Sequence, residues 1–127
     1  MIKSIIQTSH APEPIGAYSQ AILFGNTLYT SGQIALNPVS MELEIETIEI
    51  ESKRVLENLK AILHTADMTF ENVVKASVFV TNMLDFSKIN NVYASYFDQK
   101  TLPAREIIQV AALPKNVNIE ISFIAMK

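Results

Sequence analysis

Ala21-Ile-Leu-Phe24 and Thr27-Leu-Tyr-Thr30 flank the dipeptide Gly25-Asn26. That arrangement predicts two strands joined by a two-residue hairpin turn. Residues 2–7 ahead of it read as a further strand. The intervening His10-Ala-Pro-Glu-Pro-Ile-Gly16 reads as an ordered loop, because two prolines and a glycine interrupt it. Ser31-Gly-Gln33 and Asn37-Pro38 mark another loop. Ile48, Val55, Leu59, Ile62 and Ala66 then recur at helical spacing, with Leu63 widening the stripe. Glu42, Glu44, Glu46, Glu49 and Glu51 crowd the start of this helix, where the backbone dipole favours negative charge. They predict a solvated helix start, since a metal site needs ligands that converge.

Val74, Ala76, Val78 and Val80 alternate with Lys75, Ser77 and Phe79, the pattern of a strand. Phe86, Ile89, Tyr93, Tyr96 and Phe97 predict a second amphipathic helix, capped by Asn82 or Asp85. Thr101-Leu-Pro-Ala104 ends it, and a short strand follows at 107–110. In the closing strand Val117, Ile119, Ile121, Phe123 and Ala125 share one face, and Asn118, Glu120, Ser122 and Ile124 the other. The order β-β-β-α-β-α-β-β predicts an α+β protomer: a six-stranded mixed sheet with two helices on one face, residues 1–127 forming one domain. The other sheet face keeps apolar side chains such as Phe79 and Ile124 with no helix left to cover them. Self-association is the usual remedy for such a face.

Composition narrows the function classes. No apolar run exceeds four residues, which excludes a membrane-spanning helix and a signal-peptide core. Cysteine is absent, removing disulfides, thiolate nucleophiles and zinc-thiolate sites together, and a cytoplasmic location is the expectation. The formal charge of −3 opposes a nucleic-acid partner, which requires clustered Lys and Arg. Gly16, Gly25 and Gly32 are the only glycines, so no phosphate-cradling loop exists and no nucleotide cofactor is expected. His10 and His64 have no Ser, Asp or metal-ligand spacing beside them and read as loop and helix surface.

Four polar or aromatic residues sit where simple patterning would not put them. Arg105 opens an apolar strand after Pro103-Ala104, and only two arginines occur in the chain. Its planar fork can bind a carboxylate through two parallel hydrogen bonds, or it can form a surface salt bridge. Glu120, between Ile119 and Ile121, either faces solvent or is a partly buried general acid/base. Asn90 falls on the apolar stripe of the second helix, where it must be a structural bridge or a pocket donor. Tyr18, in Gly16-Ala-Tyr-Ser-Gln20, is a pocket wall or core packing.

Taken in order, these segments resemble the RidA/YjgF family along nearly the whole chain. The resemblance rests on Gly16-Ala-Tyr-Ser-Gln20, Ser31-Gly-Gln-Ile34, Val73-Val-Lys-Ala-Ser-Val-Phe-Val80 with Asp85-Phe86 and Asn90, Pro103-Ala-Arg105, Val110, Leu113-Pro114 and Ile119-Glu-Ile121. It implies a chorismate-mutase-like protomer assembled as a homotrimer, with three clefts between subunits lined by Tyr18, Ser31, Asn90, Arg105 and Glu120. It further implies cofactor-free, metal-free hydrolysis of 2-imino acids, such as 2-iminobutanoate and 2-iminopropanoate, to 2-keto acids and ammonia. In that role Arg105, helped by backbone N–H groups near Ile107, clamps the substrate carboxylate. Glu120 orients the attacking water and shuttles its proton. The family pattern also admits a non-catalytic small-carboxylate-binding regulator and an RNA-cleaving translation inhibitor; the acidic balance opposes the second. Some positions depart from the pattern. Ala17 replaces the usual proline, Glu106 and Ile107 a frequent Ser-Cys, and Ser122 a frequent glutamate. Glu51 stands where glutamine is common, and Met41 and Asp67 where glycine is common.

Overall fold

The Gly25-Asn26 hairpin is set by local rules alone. Gly25 takes a φ of 62°, open to a residue without a Cβ, and Phe24 pairs with Thr27 across the turn. In the computed structural model, which describes residues 2–127, the hairpin joins β2 (Ala21–Phe24) to β3 (Thr27–Thr30). The remaining elements are β1 (Lys3–Ile6), α1 (Ile48–Thr65), β4 (Val73–Val80), α2 (Phe86–Ala94), β5 (Ala104–Gln109) and β6 (Ile119–Met126). The six strands form one sheet in the order β1-β2-β3-β6-β4-β5. Only the β4–β5 pair is parallel, so the sheet is mixed and the expected α+β protomer is found.

Both helices pack on one sheet face. Thr47 starts α1 by accepting a hydrogen bond from Ile50 N at 3.1 Å. The stripe of Val55, Leu56, Leu59, Ile62 and Leu63 is fully buried against Ala76, Val78, Ile119, Ile121 and Phe123. Phe70, Tyr93, Phe97 and Phe123 close the core with ring centroids 4.7 to 6.0 Å apart where they touch. The opposite face carries the row Ile5, Ile22, Tyr29 and Ile124, continued by Phe79 and Ile108. Ile5, Tyr29 and Ile108 are 63%, 50% and 47% exposed, an uncovered apolar face as the alternation of β6 implied.

Several boundaries differ from the sequence reading. β5 starts at Ala104 rather than at 107, because parallel pairing with β4 runs from Lys75↔Ala104 to Val80↔Gln109. A bulge between Val73 and Lys75 buries Val73 and leaves Val74 exposed, contrary to the even alternation of valines. The second helix ends at Ala94, yet Phe97 stays buried one turn later, which is why its stripe looked longer. Of the two candidate caps, Asn82 accepts a hydrogen bond from Leu84 N and starts a short 3-10 turn, whereas Asp85 makes no capping bond. Glu51 is the main correction. It is fully buried, with Oε2 accepting from Asn118 N at 2.7 Å and Ile119 N at 3.2 Å, and Oε1 accepting from Asn118 Nδ2 at 2.7 Å. It therefore anchors the start of β6 instead of lying on a solvated helix start.

Candidate functional site

A bulge in β3 builds the first part of the site. From Tyr29 to Gln33 the chain advances four residues while its partner β6 advances three, from Ile124 to Ile121. The extra residue falls at Ser31-Gly32 and re-aims the strand end. Ser31 is fixed there twice. Its N–H donates to Gln20 O at 2.9 Å, and its hydroxyl donates to Ser19 O at 2.5 Å. Gln20, only 2% exposed, binds the preceding loop: its Nε2 donates to Thr8, Ala11 and Pro12 carbonyls and its Oε1 accepts from Thr8 N. The loop so held carries Tyr18, whose hydroxyl accepts a 3.3 Å bond from Ile15 N. Tyr18 is 47% exposed and is a cleft wall, not core.

Tyr18, Ser31, Gly32 and Glu120 meet around a cleft of about 280 Å³ whose other walls include Ile15, Ile34, Leu36 and Pro114. Ile34 and Leu36 are held from behind by buried Asn58, which donates to both of their carbonyls at 3.2 and 3.0 Å. Arg54 Nε and Nη2 both donate to Asn58 Oδ1, so the second arginine braces the residue behind the cleft wall. Glu120 is half-buried, and desolvation raises its carboxyl above the ordinary glutamate range. Among the described residues no Lys, Arg or His lines this cleft, and its second carboxylate is Glu13.

Arg105 lies elsewhere. Its guanidinium donates from Nη1 to Asn90 Oδ1 at 2.9 Å and stacks on α2, 4.8 Å from the Tyr93 ring centroid and 5.8 Å from that of Phe86. Burial raises the Tyr93 hydroxyl to about 12, opposed by the nearby Arg105 charge. Asn90 is thus a structural bridge that fixes the fork from one side, and among the described residues its other donors have no partner. β5 is an edge strand. Val110 N–H donates to Val80 O at 2.8 Å, so the alternation of strand amides turns the Ile107 N–H outward along the free edge. Glu106, on the opposite face from Arg105, is taken up by Ser77 and by Lys75 at 2.9 Å. The Ser77 hydrogen bond, followed by that of Lys75, lowers its carboxyl pKa.

The sequence candidates therefore form two clusters. Tyr18, Ser31 and Glu120 come together, as do Asn90, Arg105 and the Ile107 backbone. The clusters do not meet within one chain. Arg105 pairs with Ala76 and Glu120 with Phe79, and residues three apart on β4 point to opposite sheet faces. Sequence reasoning missed Glu13, Gly32, Gln20 and Asn58. Gly32 and Gln20 left a signal, standing inside the Ser31-Gly-Gln-Ile34 and Gly16-Ala-Tyr-Ser-Gln20 motifs; buried Asn58 left none. His10 and His64 are exposed, as expected. Among the described residues no three His, Asp or Glu side chains gather as a metal-ligand group, and no helix is long and apolar enough to cross a membrane.

A family model described as endoribonuclease L-PSP matches residues 8–127. The chain belongs to the RidA/YjgF family. A 2-iminobutanoate/2-iminopropanoate deaminase of Rattus norvegicus is 47% identical to this RidA/YjgF chain over 127 residues, covering 100% of the chain and 92% of the relative. The structure of RidA from an Antarctic Psychrobacter matches with a TM-score of 0.94 at 41% identity, covering 98% of this chain and 99% of that one. Escherichia coli TdcF with bound serine matches with a TM-score of 0.93 at 40% identity, covering 98% of each chain.

Proposed function

We propose that this RidA/YjgF chain hydrolyses 2-imino acids to 2-keto acids and ammonia, in clefts formed between the protomers of a homotrimer. The observation that carries the reading is the separation of Arg105 from Glu120 onto opposite sheet faces. A cleft holding Glu120 and Glu13 without a cation repels a carboxylate substrate. A second copy that brings its Arg105 edge to this cleft supplies the missing fork, and the uncovered apolar face gives the copies a reason to associate. The rat relative's deaminase name and the serine bound to TdcF agree with a small amino-acid-like ligand.

The chemistry follows from these groups. Arg105, with the outward Ile107 N–H, holds the substrate carboxylate and fixes the adjacent C=N carbon. Water attacks that carbon while Glu120 takes its proton, the C=N electron pair moves to nitrogen, and Glu120 passes the proton to that nitrogen to give the hemiaminal. As the hemiaminal collapses, Glu120 takes the hydroxyl proton and passes it to the nitrogen, C=O forms, the C–N bond breaks and ammonia leaves. Glu120's raised pKa suits both directions of this shuttle. Tyr18 and Ile34 give the cleft a partly apolar lining that strengthens the charge interactions within it. The formal charge of −3 disfavours the RNA-directed reading attached to the family description.

Mixed assembly tests the arrangement. Wild-type protein should sediment as three protomers and accelerate release of 2-ketobutanoate from 2-iminobutanoate made by threonine dehydratase. Arg105→Ala and Glu120→Gln trimers should each keep only a small residual activity. Unfolding and co-refolding an equal mixture should return about a quarter of wild-type activity, because a random trimer regains intact clefts only where neighbours complement each other. A wild-type trimer that leaves imine decay at its buffer rate defeats the activity. No recovery on mixing defeats the shared cleft.

A further inference from the structure

We propose that Gly32 is a positioning residue for Glu120: its missing side chain is the space into which the carboxyl group folds at the back of the cleft. This rests on the reading of Glu120 as the group that handles the attacking water. A Cβ built on Gly32 would lie 2.4 Å from Glu120 Oε2, 2.6 Å from Cδ and 2.9 Å from Cγ. These are contacts that real Cβ atoms do not make. Backbone conformation does not explain the glycine, because Gly25 is the only glycine of the chain with positive φ. Space does. The Ser31-Gly32 bulge brings the backbone flush against the carboxyl. Among the described residues Glu120 has no hydrogen-bond partner, so contact with the glycine holds it in place of a bond.

Two consequences separate this from a general packing role. A methyl at position 32 leaves the backbone unstrained, and the atoms nearest to it all belong to the flexible Glu120 side chain, so the chain folds while the carboxyl swings outward. The displaced carboxyl regains water, and the burial that raises its pKa is reduced. Glu13 and Tyr18 are the other titratable side chains of the cleft, and Tyr29, Lys75 and Glu106 those of the neighbouring strands on the same sheet face. None of them supplies the atoms nearest a methyl at 32, so the effect is expected at Glu120.

The test is a cycle of Gly32→Ala, Glu120→Gln and the double variant, all as assembled trimers. Gly32→Ala should lower kcat roughly tenfold or more with a smaller change in KM. In the Glu120→Gln background the same substitution should change neither constant, since the group it acts through is gone. Carbon-13 NMR titration of the Glu120 carboxyl should show a lower pKa in Gly32→Ala than in the wild type, whether or not the protein deaminates. Equal losses of kcat in both backgrounds, an unmoved Glu120 titration, or failure of Gly32→Ala to fold would each overturn the assignment. Unchanged hydrolysis in Glu120→Gln alone would instead remove the proposed chemistry and leave the NMR titration to decide the positioning.

Discussion

Removing the Glu51 carboxylate should be among the costliest single changes in this fold, and replacing it by its amide among the mildest. Glu51 is fully buried and satisfies three N–H donors at the start of β6: Asn118 N, Asn118 Nδ2 and Ile119 N. Glu51→Ala leaves all three without their partner, the Ile119 donor buried and the two Asn118 donors part-buried. An unsatisfied buried donor costs about 1–3 kcal/mol, and the alanine recovers part of that by no longer burying a charge. The expected net loss is about 3–6 kcal/mol, against a total of about 5–15 kcal/mol for a small domain. Glu51→Gln can keep both backbone bonds on its single oxygen, while its amide nitrogen faces Asn118. The Asn118 side chain then turns over to present its oxygen, and the cost should stay below about 1.5 kcal/mol. Urea denaturation followed by circular dichroism, at one protomer concentration for all variants, measures both. A Glu51→Ala protein within about 1 kcal/mol of wild type, or equal damage from glutamine, would refute the reasoning. Because Asn118 and Ile119 immediately precede Glu120, the alanine variant should also lose hydrolysis at temperatures where it remains folded.

Arg105→Lys should bind 2-ketobutanoate almost as poorly as Arg105→Ala, because lysine keeps the charge but loses the fork that Asn90 and Tyr93 orient. A loss of about 2–5 kcal/mol in binding is expected by calorimetry, with the trimer intact; full binding by the lysine variant would remove the bidentate clamp. Glu120→Gln should be more stable than wild type at neutral pH, not less. Burial raises the Glu120 pKa, so folding favours the protonated form. That contribution is complete below the ordinary carboxylate range, about pH 4, and is lost as pH rises through the folded value. Urea midpoints of the two proteins should therefore converge in acid and separate toward neutrality, and the opposite order would show Glu120 to be stabilised in its ionised form.

The parts of the fold that sequence revealed are those governed by local periodicity. Strand alternation in 119–126 placed Ile119, Ile121, Phe123 and Ala125 in the core and Glu120, Ser122 and Ile124 on the open face. The α1 stripe and the Gly25-Asn26 turn were equally legible. What escaped depends on pairing between distant segments. Glu51 looks like one more acid at a helix start, and only the arrival of Asn118 and Ile119 makes it a buried anchor. β5 was read three residues late because its start is dictated by its partner β4. Met41 and Asp67, where the family pattern favours glycine, do take φ of 59° and 57°, so those departures marked real left-handed turns.

The candidate site was legible residue by residue but not as an arrangement. Arg105, Asn90, Tyr18, Ser31 and Glu120 each stood out against their local pattern, and family spacing joined them into one set. Nothing in a linear chain says on which side of a sheet two strands turn their side chains relative to each other. That parity is fixed only by β4, which lies between β5 and β6 and pairs Ala76 with Arg105 and Phe79 with Glu120. Three residues along a strand is an odd step, and an odd step changes face. A fork and a carboxylate intended for one small substrate would need to share a face within a protomer. Their opposite parity makes each half incomplete by itself: among the described residues, an acidic cleft without a cation, and a guanidinium held at a free edge with donors unused. In the proposed assembly the two halves complement one another across copies. On the proposed reading, the apolar face that drives assembly is then as necessary to the chemistry as Arg105 or Glu120.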